Sequence, residues 1–146
     1  MKTIAEQLNV KEFPLYIKDK NGNNIYYEDS YGYWIKTEYD SKGNRIYYED
    51  SIGYWIKSEF DSKGNEIYCE NSTGYWIKSE YDSKGNRIYY EDSYGLWCKT
   101  EYDSKGNEIY YEDSTGDKSD KRVTELTLDQ IAEKFGIEVS RLKIKK

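Results

Sequence analysis

The sequence contains no histidine, which removes the commonest general base and the commonest zinc ligand. It has no long apolar run, and nothing in it approaches the roughly 18 residues that cross a membrane. Its first ten residues carry Lys2, Glu6, Gln7 and Asn9 where a secretory signal would be apolar. No Gly-rich phosphate loop is present. Leu and Val are nearly missing between positions 16 and 122, so apolar burial falls to Tyr, Trp and Ile. Clustered Lys and Arg are also lacking, and the net charge of −6 argues against a general affinity for nucleic acid. The expectation is a cytoplasmic, membrane-free chain with no catalytic residues, no cofactor and no bound metal. Its acidic surface suits solubility or a basic partner.

What is present is periodic. Eighteen of the 146 residues are Tyr, and Trp34, Trp55, Trp76 and Trp97 follow one another at 21-residue intervals. The unit at 33–53 reads YWIKTEYDSKGNRIYYEDSIG, with near-copies at 54–74, 75–95 and 96–116. A degenerate copy precedes them, with Phe13 at the Trp position and Ile25, Tyr26, Tyr27, Glu28, Asp29, Ser30 and Gly32 aligned. Five units result, the first altered as a capping repeat should be.

Each unit holds two turn signals, Asp40-Ser41-Lys42-Gly43-Asn44 and Asp50-Ser51-Ile52-Gly53. Asp at the first position and Gly at the fourth favour a type I turn closed by a left-handed residue. Between them, Tyr33–Tyr39 and Arg45–Glu49 are rich in strand-forming residues. The fold class is therefore mainly β: tandem antiparallel hairpins forming one extended meander sheet of about ten strands. An odd period would flip successive units to opposite faces. The extra Asn44 is expected to lengthen the first turn and restore a common facing. Tyr33, Ile35, Thr37, Tyr39, Ile46 and Tyr48 then share a packing face, and Trp34, Lys36, Glu38, Arg45, Tyr47 and Glu49 share the other.

Cys69 and Cys98 replace residues of the packing face and lie three strands apart, about 14 Å and too far for a disulfide. Buried thiols are the expectation. The series Arg45, Glu66, Arg87, Glu108 alternates in charge, which suggests stacking between neighbouring units.

Residues 1–12 are expected to form a capping helix, 13–116 the five repeats, 117–122 a polar linker and 123–146 a helical segment. Thr3-Ile4-Ala5-Glu6 and Thr127-Leu128-Asp129-Gln130 are capping boxes. Both helices are expected to shield sheet ends or cover part of the apolar face. Residues 128–144 also resemble the first two helices of a helix-turn-helix. That resemblance would make Arg141, Lys143, Lys145 and Lys146 DNA contacts.

Tyr39-Asp40-x-x-Gly43-Asn44 followed by Tyr47, recurring over roughly residues 13–116, resembles the YD repeats of RHS-type proteins. The Gly53-x-Trp55 step with a later Tyr-x-x-x-Gly resembles variant MORN repeats. Both resemblances imply serial β-hairpins. The short array between two small helices is similar in style to accessory proteins of phages and mobile elements.

The candidate site is the polar aromatic face. Trp34, Trp55, Trp76 and Trp97 form a row about 10 Å apart, flanked by Tyr47, Tyr68, Tyr89 and Tyr110 and by Glu38, Glu59, Glu80 and Glu101. Carboxylates repeated in equal copies do not make the unequal pair that acid–base catalysis needs. Asp40-x-x-Gly43-Asn44 only loosely matches a calcium loop, with Lys42 at its centre. Cross-strand packing alone would account for the aromatic row, each Trp lying over a charged stem. Read functionally, the row anchors a protein partner. The chain would then act as a phage-type inhibitor of a host nucleic-acid-processing defence enzyme, anti-CRISPR or anti-restriction in kind. The alternatives are a carbohydrate or single-stranded nucleic-acid module and a DNA-associated regulator. A homodimer is expected through the Tyr/Ile face or the terminal helices.

Overall fold

The computed structural model describes residues 3–122 and 126–141. A short helix, α1 (Ile4–Leu8), precedes β1 (Leu15–Lys18), β2 (Asn24–Glu28), β3 (Trp34–Tyr39), β4 (Arg45–Asp50), β5 (Trp55–Phe60) and β6 (Glu66–Asn71). Then come β7 (Trp76–Tyr81), β8 (Arg87–Asp92), β9 (Trp97–Tyr102), β10 (Glu108–Asp113), β11 (Lys118–Asp120) and α2 (Leu128–Phe135). The strands form one antiparallel sheet in sequence order. Among the described residues, no helix is long and apolar enough to cross a membrane.

The turns form because a single side chain, an aspartate in all but the Asn71 turn, organises each of them. Asp40 Oδ1 accepts from the amides of Lys42 and Asn44, while Oδ2 accepts from the Asn44 side chain at 2.9 Å. The Gly43 amide closes on the Asp40 carbonyl, and Gly43 takes φ +89, which a side chain would strain. Asp50 repeats the scheme, accepting from the amides of Ile52 and Tyr54, with Gly53 at φ +85.

Both turns have the same length, because Asp40 pairs with Asn44 as Asp50 pairs with Tyr54. The expectation that Asn44 lengthens the first turn is therefore corrected. The extra residue sits in β4 instead: Glu38 pairs with Tyr47 and Tyr39 with Arg45, leaving Ile46 as a bulge. The common facing of the units survives, but two residues change sides. Ile46 lines a groove with Lys36, Glu38 and Tyr47. Arg45 reaches over the Tyr48 ring on the opposite face, 5.5 Å from its centroid. Arg45 and Glu66 both act electrostatically on Cys69, so that position does stack between units, on the face not expected.

The register also staggers the array. Lys36 pairs with Glu49 and Glu49 with Trp55, so Trp55 lies directly across from Lys36, whose counterpart Lys57 is two residues further along. Two strand spacings combined with two residues of rise put equivalent side chains about 12 Å apart, longer than the 10 Å a square register implies.

Residues 117–122 are not a free linker. Asp113 builds the same turn, with its amide on the Asp117 carbonyl at 3.0 Å, and this returns Lys118–Asp120 along β10 as an eleventh strand. Turn geometry decides the pairing here, and the polar composition is what an edge strand tolerates. The sheet is one layer with no large, fully buried side chain among the described residues. Tyr and Trp are half-buried along both faces of its middle.

Candidate binding face of the sheet

Cross-strand pairs put Trp55 beside Glu49, Trp76 beside Glu70 and Trp97 beside Glu91, all on the face that carries Trp34. The same face brings Glu38 against Tyr47, Glu59 against Tyr68, Glu80 against Tyr89 and Glu101 against Tyr110. The twelve aromatic and acidic residues singled out in the sequence thus share one surface. Lysine stems lie among them, with Lys57 Nζ 5.0 Å from the Trp55 ring and Lys36 Nζ 5.4 Å from Tyr47.

The Tyr-Tyr-Glu-Asp run has a physical meaning. In a strand, residues two apart share a face, and most of these tyrosines donate to the acid two residues on. On the indole face Tyr68 donates to Glu70 and Tyr89 to Glu91, both at 3.1 Å. On the opposite face Tyr90 donates to Asp92 at 3.0 Å and Tyr111 to Asp113 at 2.8 Å. Burial and then the bond to glutamate push the Tyr68 and Tyr89 phenols up. The Tyr33 hydroxyl, then burial, push Tyr48 up to about 12. Cys69 removes one such tyrosine, and the acid two residues on is simultaneously replaced by Asn71.

Three open grooves of 550 to 790 Å³ repeat along the indole face. Each holds one tyrosine of the row (Tyr47, Tyr68 or Tyr89), the glutamate paired with it and one or two neighbouring lysines. At the ends the row is closed. Ala5 of α1 donates its amide to Glu28 Oε2 at 3.0 Å, the same oxygen that accepts from Tyr26 at 2.8 Å. Glu28 and Tyr26 are 2 % and 7 % exposed. Helix α1 therefore lies at the N-terminal end of the array over the indole face; of the two expectations, a shielded sheet end or a covered Tyr/Ile face, the second is corrected. An apolar cleft lined by Ile4, Ile17, Ile25, Tyr26 and Trp34 lies beside it. At the far end the Arg122 guanidinium lies 4.0 Å from the Tyr110 ring centroid, and Nη1 donates to Glu101 at 3.1 Å. Asp120 takes the remaining bonds from Arg122 Nε and Nη2.

Arg122 and Glu28 were not singled out in the sequence, although the lone arginine just past the last repeat was a visible signal. Lys143, Lys145 and Lys146 lie outside the described residues, as does the side chain of Arg141. Helix α2 has the expected capping box, and Phe135 on it is 70 % exposed. The Asp40 carboxylate is taken up by the donors of its own turn. Cys69 and Cys98 are free thiols, and burial pushes Cys69 up.

No protein-family model matches the chain, and no curated protein matches its sequence. Solved structures do match in fold. The chain is similar to part of a TcdB2-TccC3-TEV crystal structure, with 18% identity over 68% of this chain and a TM-score of 0.54. It is also similar to part of the Photorhabdus luminescens Tc holotoxin pore carrying TccC3-D651A, with 14% identity over 68% of this chain and a TM-score of 0.52. It spans only 5% and 6% of the length of those chains. The shared fold is consistent with a YD-like repeat sheet.

Proposed function

We propose that the chain is a non-enzymatic interaction scaffold whose indole face engages a protein partner. The observation that carries this reading is the ladder of half-buried Trp and Tyr with exposed Glu, its Tyr–Glu pairs lining three equivalent grooves and the row closed at its ends. Aromatic side chains held on a rigid strand framework lose little freedom on binding and supply large contact area. The finer reading is a phage-type inhibitor that presents this acidic face to a nucleic-acid-processing defence enzyme in place of nucleic acid.

Captured partner and chemical cross-links provide the test. The double variant Trp55→Ser/Trp76→Ser should lose capture, whereas Tyr54→Ser on the opposite face should keep it. The reverse pattern would sink the reading. Charge imitation requires binding to weaken as salt rises through the range where the Debye length falls from about 10 Å to about 3 Å, and a salt-insensitive complex removes that finer reading. Self-association through the Tyr/Ile face belongs to the same proposal, and light scattering that returns a monomer removes it.

A further inference from the structure

The end of the tyrosine row displays a site filled by arginine, and partial copies of it, bordered by exposed lysines, recur inside the array. Tyr110 forms the floor, its cross-strand partners Glu101 and Asp120 form two acidic walls, and Arg122 fills the space above the ring, giving one bond to Glu101 and two to Asp120. The other end is also filled by positive character, since Glu28 and Tyr26 lie beneath backbone N–H groups at the start of α1. The floor and the glutamate wall recur as Tyr47 with Glu38, Tyr68 with Glu59 and Tyr89 with Glu80, while Lys57, Lys78 and Lys99 stand across from these tyrosines where Asp120 stands across from Tyr110. In these copies both residues remain half-buried or exposed.

We propose that these three pairs are guanidinium sockets that take arginine side chains of a basic partner segment through the ring and glutamate contacts that Tyr110 and Glu101 make with Arg122. The proposal rests on the indole face being the binding surface and names the chemistry it selects. Two features favour arginine over a general cation. A guanidinium stacks flat on a tyrosine ring while its N–H groups bond an adjacent carboxylate, which an ammonium cannot do in one plane. The lysines already there form exposed pairs, Lys36 with Glu38 at 2.7 Å and Lys78 with Glu80 at 3.9 Å. Such pairs hold weakly and are readily displaced. The chain's net charge of −6 adds attraction to a basic segment. Sockets about 12 Å apart are spanned by about four residues of extended chain, and residues four apart return to the same side. The partner motif is therefore Arg-x-x-x-Arg-x-x-x-Arg in extended form.

The test uses the full chain and a synthetic Ser/Thr peptide carrying three arginines at every fourth position, with Trp fluorescence and calorimetry as readouts. The arginine peptide should bind about tenfold tighter than its lysine counterpart of equal charge. Tyr68→Ser and Glu59→Gln should each weaken it, while Tyr68→Phe, which keeps the ring, should not. Circular dichroism checks that each variant stays folded. Arg122→Ala should open a fourth socket and tighten a four-arginine peptide by about threefold to tenfold. Equal binding of the arginine and lysine peptides, or no gain for Arg122→Ala, would overturn the sockets. If partner capture still depends on Trp55 and Trp76 in that case, the interaction reading stands with other chemistry. Loss of that dependence removes the reading itself.

Discussion

Tyr26 and Tyr89 have the same neighbours in sequence, an isoleucine before and a glutamate two residues after, yet they differ in what lies above them. Tyr26 is buried, because α1 sits across it and supplies a backbone donor to the glutamate that also holds the phenol. Tyr89 carries the same bond to Glu91 and is only half-buried. The difference shows that the repeat does not complete its own site. Each unit builds an aromatic floor and an acidic wall, and burial comes only where another segment adds positive groups. At the end of the row Arg122 does so for Tyr110, which is 8 % exposed. A one-layer sheet has no second layer to perform this task, so closed ends and an open middle follow from the architecture.

Removing the acid at each place should separate the covered end from the open middle most clearly. Glu28→Ala leaves the Ala5 amide and the Tyr26 hydroxyl without their shared acceptor in a buried position, at a cost of about 2–4 kcal/mol. Glu70→Ala removes a partly exposed acceptor from the middle and should cost about 1 kcal/mol or less. Units of a repeat array contact mainly their neighbours, so the first effect should be confined to the N-terminal hairpin. Urea unfolding followed by hydrogen exchange reads both size and location. Equal costs at the two sites would remove the distinction between end and middle.

Much of this was legible in the sequence. The 21-residue period, the Asp-to-Gly turns and the common facing of the four indoles needed only alternation and turn chemistry. The position of the extra residue was not legible, because a longer turn at Asn44 and a bulge at Ile46 satisfy the same parity. Only the pairing of Tyr39 with Arg45 separates them, and that choice exchanged the faces of Arg45 and Ile46. The eleventh strand was hidden by its polar composition, although the fifth copy of the turn at Asp113 already required the chain to return. The closed ends were illegible for a further reason: an amphipathic helix of five residues does not announce which face of a sheet it will cover.

A second effect, smaller and spread over several groups, concerns acid. Burial would raise the Glu28 carboxyl, but bonds from Thr3, the Ala5 amide and Tyr26 hold it below its ordinary 4.5. Bonds from Arg122 bring Asp120 down to about 2 from 3.8. A carboxylate with a folded pKa below its unfolded one contributes stability above the unfolded value and loses it as pH falls through the folded value. Both end closures should therefore loosen between pH 4.5 and about 2. Asn44 and Asn65 hold Asp40 and Asp61 below their ordinary range, so turns in the middle loosen in the same direction. Glu28→Gln removes the titrating group at the N-terminal closure. It should flatten the acid response of the N-terminal hairpin in pH-dependent hydrogen exchange while the middle turns keep theirs. An unchanged response at the N-terminal hairpin would show that Glu28 does not couple closure to pH.

The smallest expected effect lies wholly within the middle, where one unit lacks a bond its neighbours have. Tyr48 and Tyr90 each donate to the aspartate two residues on, which in turn holds the following turn through its other oxygen. In the third unit Cys69 and Asn71 stand at those positions, and Asn71 Oδ1 already accepts from the Thr73 amide and hydroxyl. Cys69→Tyr alone gives a phenol facing an amide whose oxygen is engaged, and Asn71→Asp alone gives a carboxylate with no phenol to accept from. Together they rebuild the bond, and the double variant should exceed the sum of the single variants by about 1 kcal/mol in urea unfolding. Coupling of that size would make the tyrosine–aspartate pair a unit of stability that the open middle carries without help from any covering segment. Strict additivity across the four proteins would mean that the two replacements arose independently and that the middle of the sheet is held by backbone pairing and ring contact alone.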